Sequence, residues 1–367
     1  MAVTNDLSAD RRVLRHADTL AEAGCRVTLI GRELPWSKPA DTRHEVVRLR
    51  LKHLRGWRFY AEFNRRLASE LRRLKPDIVW ANDADTLPGC HAGRRKGAAL
   101  VMYAHEMFPE VPELMHKPLV RWVWRTVERS LMPRCDALLT VCDSLADHYR
   151  QELGVSMEVV RNIGRRAPVD AEPPALPGSG PVLLYQGAVN LGRGVDWAID
   201  AMEFLPECRL VVAGAGDLLG QMQSYAASKP WAGRITFLGQ LTPTALAALT
   251  PLAAVGLVML EDMGKSYHCA LPNRVGDFVQ AGVPMVVSDL PEMARVVRRY
   301  HVGEVMAGTG DAALADAARR VLERQWHEAD FDKARADFEW DKERKRLLAV
   351  LRLAASRRGL GPIDTDL

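Results

Sequence analysis

The sequence predicts an α/β protein with two doubly wound parallel-sheet domains. Short apolar, β-branched runs alternate with helical patterns through both halves of the chain, which is typical of parallel sheets covered by helices. The alternation breaks once, at a proline-rich stretch, and 367 residues are too many for one ordinary core. We therefore predict a first domain over 1–165, a linker over 166–180 and a second domain over 181–337, with 338–367 packing back on the first domain.

The first domain opens with a short predicted strand at residues 2–4. A helix follows, which we expect Ser8 to cap and Gly24 to end, and then a strand from Arg26 to Ile30. Further apolar runs predict strands at 46–51, 77–81, 98–103, 137–141 and 157–160. Amphipathic patterns predict helices at 57–74 and 120–132.

The second domain repeats the alternation. Strands are predicted at 182–185, 209–213, 235–238, 255–259 and 284–288, with helices between them. A final charged helix at 338–353 has apolar residues to bury, and we expect the last dozen residues to fray.

Cysteine usage and hydropathy narrow the class of protein. None of the six cysteines has C-x-x-C spacing, which indicates a reducing compartment and neither a disulfide framework nor a structural metal site. The chain shows no secretory signal pattern and no run of about 18 apolar residues, so we expect a cytoplasmic protein.

Positive charge is concentrated in residues 43–75, where eleven Lys and Arg accompany three Glu. Three explanations stay open: a solvated helix face, docking to anionic lipid, or attraction of an anionic acceptor. Nucleic acid is disfavoured because no nucleic-acid-binding motif accompanies the charge. Our hypothesis is peripheral membrane contact through Arg55, Trp57, Arg58 and their neighbours.

A short predicted helix between Pro272 and Gly282 carries the polar residues Asn273, Arg274 and Asp277. Pro suits the first turn of a helix and Gly suits the residue just past its end. A helix N-terminus beside an amide and a guanidinium suits a diphosphate, and a carboxylate one turn later suits the hydroxyls of a ribose. The alternative is a capped surface helix with an ordinary Arg and Asp.

Polar residues also follow two strands of the first domain. Asp83 comes after the strand at 77–81, and His105 and Glu106 come after the strand at 98–103. Parallel sheets place ligands at the carboxyl ends of their strands, which favours a functional role for His105 over a loop histidine with ordinary partners. Asp83 could bind an acceptor or cap the following helix.

In their order and spacing these residues resemble the retaining glycosyltransferases of family 4. The resemblance spans most of the chain and is carried by Asn5-Asp6-Leu7, Arg11-Arg12-Val13-Leu14-Arg15, Ala23-Gly24, Ala104-His105-Glu106, Leu271-Pro272-Asn273-Arg274 and Ala281-Gly282-Val283-Pro284. It implies the GT-B fold, with two facing Rossmann-like domains and a cleft between them.

The resemblance also implies roles. The second domain would bind a nucleotide-sugar donor through Gly187, Arg193, Leu271, Pro272, Asn273, Arg274 and Asp277. His105 would act beside the transferred sugar, and the acceptor side would include Asn5, Asp6, Leu7, Asp83 and Glu106. The acceptor would attack the front face of the sugar while the leaving diphosphate helps to take its proton. Neither a metal nor a cofactor is implied, and catalysis would consist of positioning and charge neutralisation.

The sequence departs from the family pattern at three positions. Cys269 stands where the first Glu of E-x7-E is expected, and the second Glu is shortened to Asp277. Ala188 stands where many relatives have an Arg against the diphosphate. Arg193 and Arg274 are then the cations expected to bind the donor phosphates.

The expected activity is transfer of a sugar from a nucleotide diphosphate to an acceptor hydroxyl with retention, in the synthesis of cell-surface polysaccharide, glycolipid or glycoconjugate. The expected partners are a nucleotide sugar and an acceptor saccharide, lipid-linked or small, at the inner face of the membrane. The alternative is a sugar-nucleotide-binding protein of this fold with other chemistry, such as epimerisation, or with no activity.

Overall fold

The computed structural model describes residues 1–8, 10–164 and 172–361. The chain divides into two compact units. Unit 1 comprises Met1–Asn162 together with the chain from Glu343 onward, and unit 2 comprises Ile163–Lys342. The predicted divisions, at 165 and 338, lie a few residues from these. Residues 166–171 of the predicted linker, and 362–367, lie outside the described residues.

Unit 1 begins with an α/β alternation. Its strands are β1 (Thr28–Glu33), β2 (Glu45–Arg50), β3 (Ile78–Asn82), β4 (Ala99–Ala104), β5 (Ala137–Thr140) and β6 (Glu158–Val159). Its helices up to residue 162 are α1 (Arg11–Glu22), α2 (Gly56–Leu74), α3 (Leu87–Gly93), α4 (Pro118–Leu131) and α5 (Asp143–Leu153). Neighbouring strands pair in parallel, in the orders β1-β2 and β3-β4-β5-β6.

The opening residues join these two groups of strands. Ala2 forms one parallel bridge to Ile30 of β1 and another to Ala81 of β3. The predicted opening strand is therefore reduced to a bridge, but it lies at the centre of the unit, where the strand order reverses. Ligands of parallel sheets bind outside the carboxyl ends of the strands at such a reversal.

Helix α1 is capped differently from the sequence prediction. Asp10 is its N-cap, and the Asp10 carboxylate accepts the backbone N–H of Val13 at 3.1 Å. Ser8 was the wrong choice because its hydroxyl donates to Asp6 instead. Gly24 does end the helix, with φ of +80°. The next strand begins two residues later than predicted.

Unit 2 is one parallel sheet with helices. Its strands are β7 (Val182–Gln186), β8 (Arg209–Ala213), β9 (Ile235–Gly239), β10 (Val255–Val258), β11 (Met285–Val287) and β12 (Gly303–Val305), in the order β12-β11-β10-β7-β8-β9. Its helices are α6 (Val195–Ala201), α7 (Leu219–Ala227), α8 (Pro243–Leu249), α9 (Lys265–His268), α10 (Asn273–Ala281), α11 (Pro291–Tyr300), α12 (Asp311–Glu323) and α13 (Glu328–Asp337).

The sheet of unit 2 is doubly wound. The chain runs outward from β7 through β8 and β9, and then returns to build β10, β11 and β12 on the other side. Alternate residues of the strands enter two apolar cores, such as Leu184 in one and Leu183 in the other. The order reverses between β7 and β10, so the carboxyl ends of these two strands mark the expected ligand crevice.

The last helix, α14 (Trp340–Ser356), crosses the division between the units along the chain. Phe338 belongs to the apolar core of unit 2, and residues 338–342 fall within unit 2, whereas the sequence assigned them to the first domain. From Glu343 onward the prediction agrees with the division. The fully buried Glu343 carboxylate accepts hydrogen bonds from Arg161, which fixes the helix within unit 1.

Candidate functional site

Helix α10 begins where the sequence placed a binding element in unit 2. Pro272 is its N-cap, with an extended ψ of 141°, so the proline precedes the first helical residue rather than occupying the first turn. Asn273 is exposed at the helix start, and the chain leaves the helix through Gly282 at a φ of +71°. The N-terminal end of the helix therefore presents its partial positive charge beside Arg274.

Arg274 reaches back from α10 across the carboxyl ends of β7 and β10. Its guanidinium donates to the carbonyl oxygen of Gln186 at 3.2 Å and of Met259 at 2.9 Å. It lies 4.7 Å above the ring of Tyr185, and the residue is only 6% exposed. Nε of Arg274 is buried with no hydrogen-bond partner in the described chain.

Arg193 supplies a second cation close to Arg274. Its guanidinium stacks on Tyr267 at 4.8 Å, and its Nε is also buried with no described partner. Burial, and then the charge of Arg193, lower the pKa of Arg274. Within the described residues neither guanidinium has a carboxylate at ion-pair distance. We call Arg193 and Arg274 the arginine pair.

The loop after β7 leaves room for the arginine pair. Gly187 has a φ of +133°, and a Cβ added there would lie 3.0 Å from Nη1 of Arg274. Gly192 has a φ of +72°, and its added Cβ would lie 2.6 Å from the sulfur of Met263. The loop thus needs glycine both for its backbone and for the space beside the cations.

The other predicted residues of this site lie around α10. Asp277 turns toward β7, where its carboxylate accepts the side-chain N–H of Gln186 at 3.0 Å. Leu271 is half-buried just before the helix. Cys269 is also half-buried, and its pKa is raised by burial and then by the charge of Glu292. Glu292, a buried carboxylate near Cys269, is a residue that the sequence patterns did not single out.

In unit 1, Asp83 organises the second group of predicted residues. It has a φ of +66°, a left-handed conformation that is strained for a non-glycine residue. One carboxylate oxygen accepts the backbone N–H of His105 at 3.0 Å and contacts Nδ1 of the same residue at 2.6 Å. The other oxygen lies 3.5 Å from Arg12. Asp83 therefore orients the imidazole of His105, whose side chain stays 38% exposed.

The protonation pattern of this cluster follows from its contacts. Burial works against the charge of Asp83, but His105 and Arg12 outweigh it and lower its pKa to about 2. Burial and Arg12 depress the pKa of His105, yet contact with Asp83 raises it overall. Burial, and then the charge of Asp83, raise the pKa of Asp85 to about 7. Burial also raises the pKa of Glu106.

Two residues of this cluster were given no role by the sequence analysis. Arg12 lies on the buried side of α1, with its guanidinium 5.3 Å above the ring of Tyr103. Asp85 accepts the hydroxyl of Thr4 at 2.6 Å, across the strand reversal of unit 1. A signal for Arg12 does exist, because it shares helical spacing with His16, another polar residue on the buried side of α1.

The first loop is held together largely by its own contacts. Asn5 accepts the backbone N–H of Leu7 at 2.9 Å and donates to the Asp10 carboxylate at 2.7 Å. Asp6 accepts the hydroxyl of Ser37 at 2.8 Å. Leu7 is fully buried, so its side chain enters the core and only its backbone remains to line a site.

The basic segment 43–75 is less free than its composition indicates. Among its described contacts, six cations bind carboxylates or backbone carbonyls: Arg43, Arg48, Arg50, Arg66, Arg72 and Arg73. Trp57 is 75% exposed, with Arg58 stacked on it at 5.5 Å. In the described part of the chain, no helix combines the length and apolar character needed to span a bilayer.

Known protein families match both halves of the chain. Residues 9–163 match the model for "Glycosyltransferase Family 4", and residues 180–324 match the model for "Glycosyl transferases group 1". Together the two matches span most of the sequence.

Two curated relatives share less than 30% identity with this chain. A phosphatidyl-myo-inositol mannosyltransferase of Mycobacterium leprae is 29% identical over 189 residues, 49% of this chain and 48% of that protein. A glycogen synthase of Mycobacterium tuberculosis is 27% identical over 229 residues, 58% of this chain and 53% of that protein. The chain thus spans about half the length of the curated relatives it matches.

Solved structures share the fold over almost the whole chain. A sucrose-phosphate synthase of Thermosynechococcus elongatus superposes with a TM-score of 0.71 at 18% identity, covering 97% of this chain and 96% of that one. An Escherichia coli trehalose-6-phosphate structure bound with UDP-2-fluoro glucose gives 0.67 at 13%, covering 97% and 98%. The chain belongs to glycosyltransferase family 4 and has the GT-B fold.

Proposed function

We propose that this chain transfers a sugar from a nucleotide diphosphate sugar to an acceptor hydroxyl, with retention at the anomeric carbon. The observation that carries the donor half is the arginine pair. Two neighbouring cations, buried or half-buried at the strand reversal of unit 2, have no anion of their own in the described chain. A buried charge without a counter-charge is costly, so a site of this kind favours an anionic ligand.

The surroundings of the pair favour a diphosphate. Arg274 presents a planar fork of donors, and the N-terminus of α10 adds backbone N–H groups and partial positive charge. Gly187 leaves space beside Nη1 of Arg274, where a Cβ would otherwise lie. Asp277, one turn along α10, is then the acceptor for ribose hydroxyls. A protein of the same fold is bound with a UDP-sugar analogue, which supports this choice.

The proposed chemistry needs no nucleophile from the protein. The bond between the anomeric carbon and the donor phosphate breaks, and the acceptor oxygen bonds to the same face of that carbon. The acceptor proton passes to the leaving diphosphate, whose charge the arginine pair offsets. His105, oriented by Asp83, would hold a sugar or acceptor hydroxyl in place. Asn5, Asp6, Leu7 and Glu106 remain proposed for the acceptor side.

The nature of the acceptor is also a proposal. A curated relative is a phosphatidyl-myo-inositol mannosyltransferase, which makes a lipid-linked acceptor one choice for this chain. Trp57 and Arg58 in the basic segment are exposed and could contact an anionic membrane surface. We propose that the enzyme works in the cytoplasm, in part at the inner face of the membrane, without metal.

A two-stage experiment tests this function. Thermal unfolding is first followed with UDP, GDP, ADP and dTDP, since a ligand at one hundred times its Kd stabilises by about 2.7 kcal/mol. At least one should raise the Tm, and Arg274→Ala should abolish the rise. Hydrolysis of the matching nucleotide sugars is then measured with wild type and His105→Ala.

The two stages separate the proposal from its alternative. Slow donor hydrolysis that His105→Ala removes, while its nucleotide-induced Tm shift persists, supports a transferase. Nucleotide binding without turnover, for any nucleotide sugar and with sugar acceptors present, favours a binding protein. No Tm response to any of the four nucleotides would contradict the donor site itself.

A further inference from the structure

Helix α4 exposes an apolar surface that the donor and acceptor sites do not use. Leu119 is 73% exposed, Trp122 is 63% and Val123 is 44%. Their spacing of three and four residues places them on one face, and Val120 extends it in the first turn. We call Leu119, Val120, Trp122 and Val123 the α4 apolar face. Contiguous apolar groups of this kind mark interaction sites more often than isolated exposed residues do.

The opposite side of α4 is firmly packed in unit 1. Trp124 is buried, with its ring centroid 5.0 Å from that of Tyr60 in α2 and 4.8 Å from that of Phe108. Glu128, also buried, accepts the hydroxyl of Tyr149 at 2.9 Å. The helix is therefore held in place by its inner side, and the apolar face is not a core surface left over from poor packing.

The charge of the helix indicates what covers this face. Its exposed cations include Arg125 and Arg129, and Lys117 directly precedes it. The acidic residue of the helix, Glu128, is buried, and burial raises its pKa to about 8, so it is uncharged at neutral pH. Among the described contacts, Glu110 pairs with Arg121 and Arg125, which leaves Lys117 and Arg129 without a carboxylate. The surroundings of the α4 apolar face are thus positively charged.

We propose that the α4 apolar face docks onto an anionic lipid surface, with Trp122 and Leu119 entering the interfacial region and Lys117 and Arg129 facing lipid phosphates. A short helix with tryptophan and aliphatic residues on one side and cations beside them has the composition of an interfacial helix. A second copy of the chain fits less well, because a symmetric contact would bring the same cations together.

This surface differs from the segment 43–75 but lies on a neighbouring element. Tyr60, which contacts Trp124 of α4, is one turn along α2 from the exposed Trp57. The docking inference does not depend on the donor chemistry, so either can fail while the other stands.

The test measures cosedimentation of the full-length protein with vesicles of phosphatidylcholine alone or with 30% phosphatidylglycerol. Wild type should bind the anionic vesicles at low salt and bind much less to phosphatidylcholine. Leu119→Ser with Trp122→Ser should weaken binding at least tenfold, and Lys117→Gln with Arg129→Gln should weaken it and reduce its salt dependence. All four side chains are exposed, so folding, checked by circular dichroism, should be unchanged.

Two matched variants make the result specific. Trp36 is 69% exposed in the same unit, so Trp36→Ser removes a comparably exposed tryptophan that is not part of α4 and should leave binding intact. Trp57→Ser should retain part of the binding. The inference is wrong if wild type ignores anionic vesicles, or if the double serine variant binds as wild type does. It is also wrong if Trp57→Ser alone abolishes binding, or if gel filtration shows that the double serine variant disrupts a dimer without affecting vesicle binding.

Discussion

The two units place a buried arginine over a tyrosine in the same way but compensate its charge differently. Arg12 lies 5.3 Å above the ring of Tyr103 in unit 1, and Arg274 lies 4.7 Å above the ring of Tyr185 in unit 2. Asp83 and Asp10 lie beside Arg12 at 3.5 and 3.6 Å. Arg274 contacts backbone carbonyls instead. Carboxylates therefore balance the charge of Arg12 in unit 1, whereas the charge of Arg274 in unit 2 would be balanced only by an added anion.

The pKa directions express the same contrast. Burial opposes the charge of Arg12, but Asp83 and Asp10 raise its pKa above the usual value. Burial and Arg193 lower the pKa of Arg274. A buried ion pair organises the structure around it, while a buried cation without a carboxylate favours the binding of an anion. The difference supports the proposal that unit 1 positions neutral hydroxyl groups and that unit 2 binds a charged leaving group.

The largest expected effect is on donor use when Arg274 is replaced by Met. Loss of the fork of donors should lower kcat/KM for sugar transfer by about 10²–10³, the usual effect of removing one donor to a developing charge. Initial rates at varied donor concentration measure it. Arg299→Met is the control, because Arg299 is an exposed arginine of α11 that stacks on Tyr300 at 5.1 Å. Equal losses of kcat/KM in both variants would contradict a role of Arg274 in donor binding.

The second effect is on the stability of the protein without ligand, where replacing Arg12 should matter more than replacing Arg274. Arg12→Met leaves Asp83 buried without one of its cations, so unfolding free energy should fall by about 3 kcal/mol. Arg274→Met loses two hydrogen bonds but also removes a buried charge that no carboxylate offsets, so it should cost at most about 1 kcal/mol. Urea unfolding of the two variants gives the comparison. If Arg274→Met lowers the unfolding free energy more than Arg12→Met does, the two arginines do not differ in charge compensation as argued.

More of the candidate site could be predicted from the sequence in unit 2 than in unit 1. Arg274 and Asp277 could be predicted because they lie on one short helix with clear end signals at Pro272 and Gly282. The contact between Arg12 and Asp83 joins residues 71 positions apart, and no local pattern records such a pairing. Fold class, strand alternation and the positions after strand ends could be predicted for the same reason, since each follows from local periodicity.

Local patterns also failed where several residues offered the same chemistry. The cap of α1 could have come from Asp6, Ser8 or Asp10, and only the contacts of the folded loop show that Asp10 is used. β12 has the sequence Gly-Glu-Val, which contains no apolar run to indicate a strand, whereas the equally short β11 is Met-Val-Val and was predicted. The wrong placement of residues 338–342 has the same origin. Phe338 is apolar enough for either core, and its place in unit 2 is a tertiary outcome.

The last comparison tests the charge state of unit 1 through the pH dependence of its stability. The pKa of Asp85 is raised to about 7 by burial and by Asp83, so the folded state disfavours its ionisation. In wild type, stability should therefore fall as pH rises from about 4, where the unfolded carboxyl ionises, to about 7. Asp85→Asn should remove this fall, and its stability relative to wild type should rise by about 4 kcal/mol over that range, at about 1.36 kcal/mol for each unit of pKa difference.

Asp83→Asn should change the pH dependence of stability in the opposite direction, and at lower pH. The pKa of Asp83 is lowered to about 2, so its contribution is present above about pH 4 and is lost as pH falls toward 2. Urea midpoints of both variants and wild type between pH 3 and 8 separate the two carboxylates. If Asp85→Asn runs parallel to wild type over this range, Asp85 is already ionised at neutral pH. Asp85 would then add a second negative charge beside that of Asp83, in the cluster that contains His105.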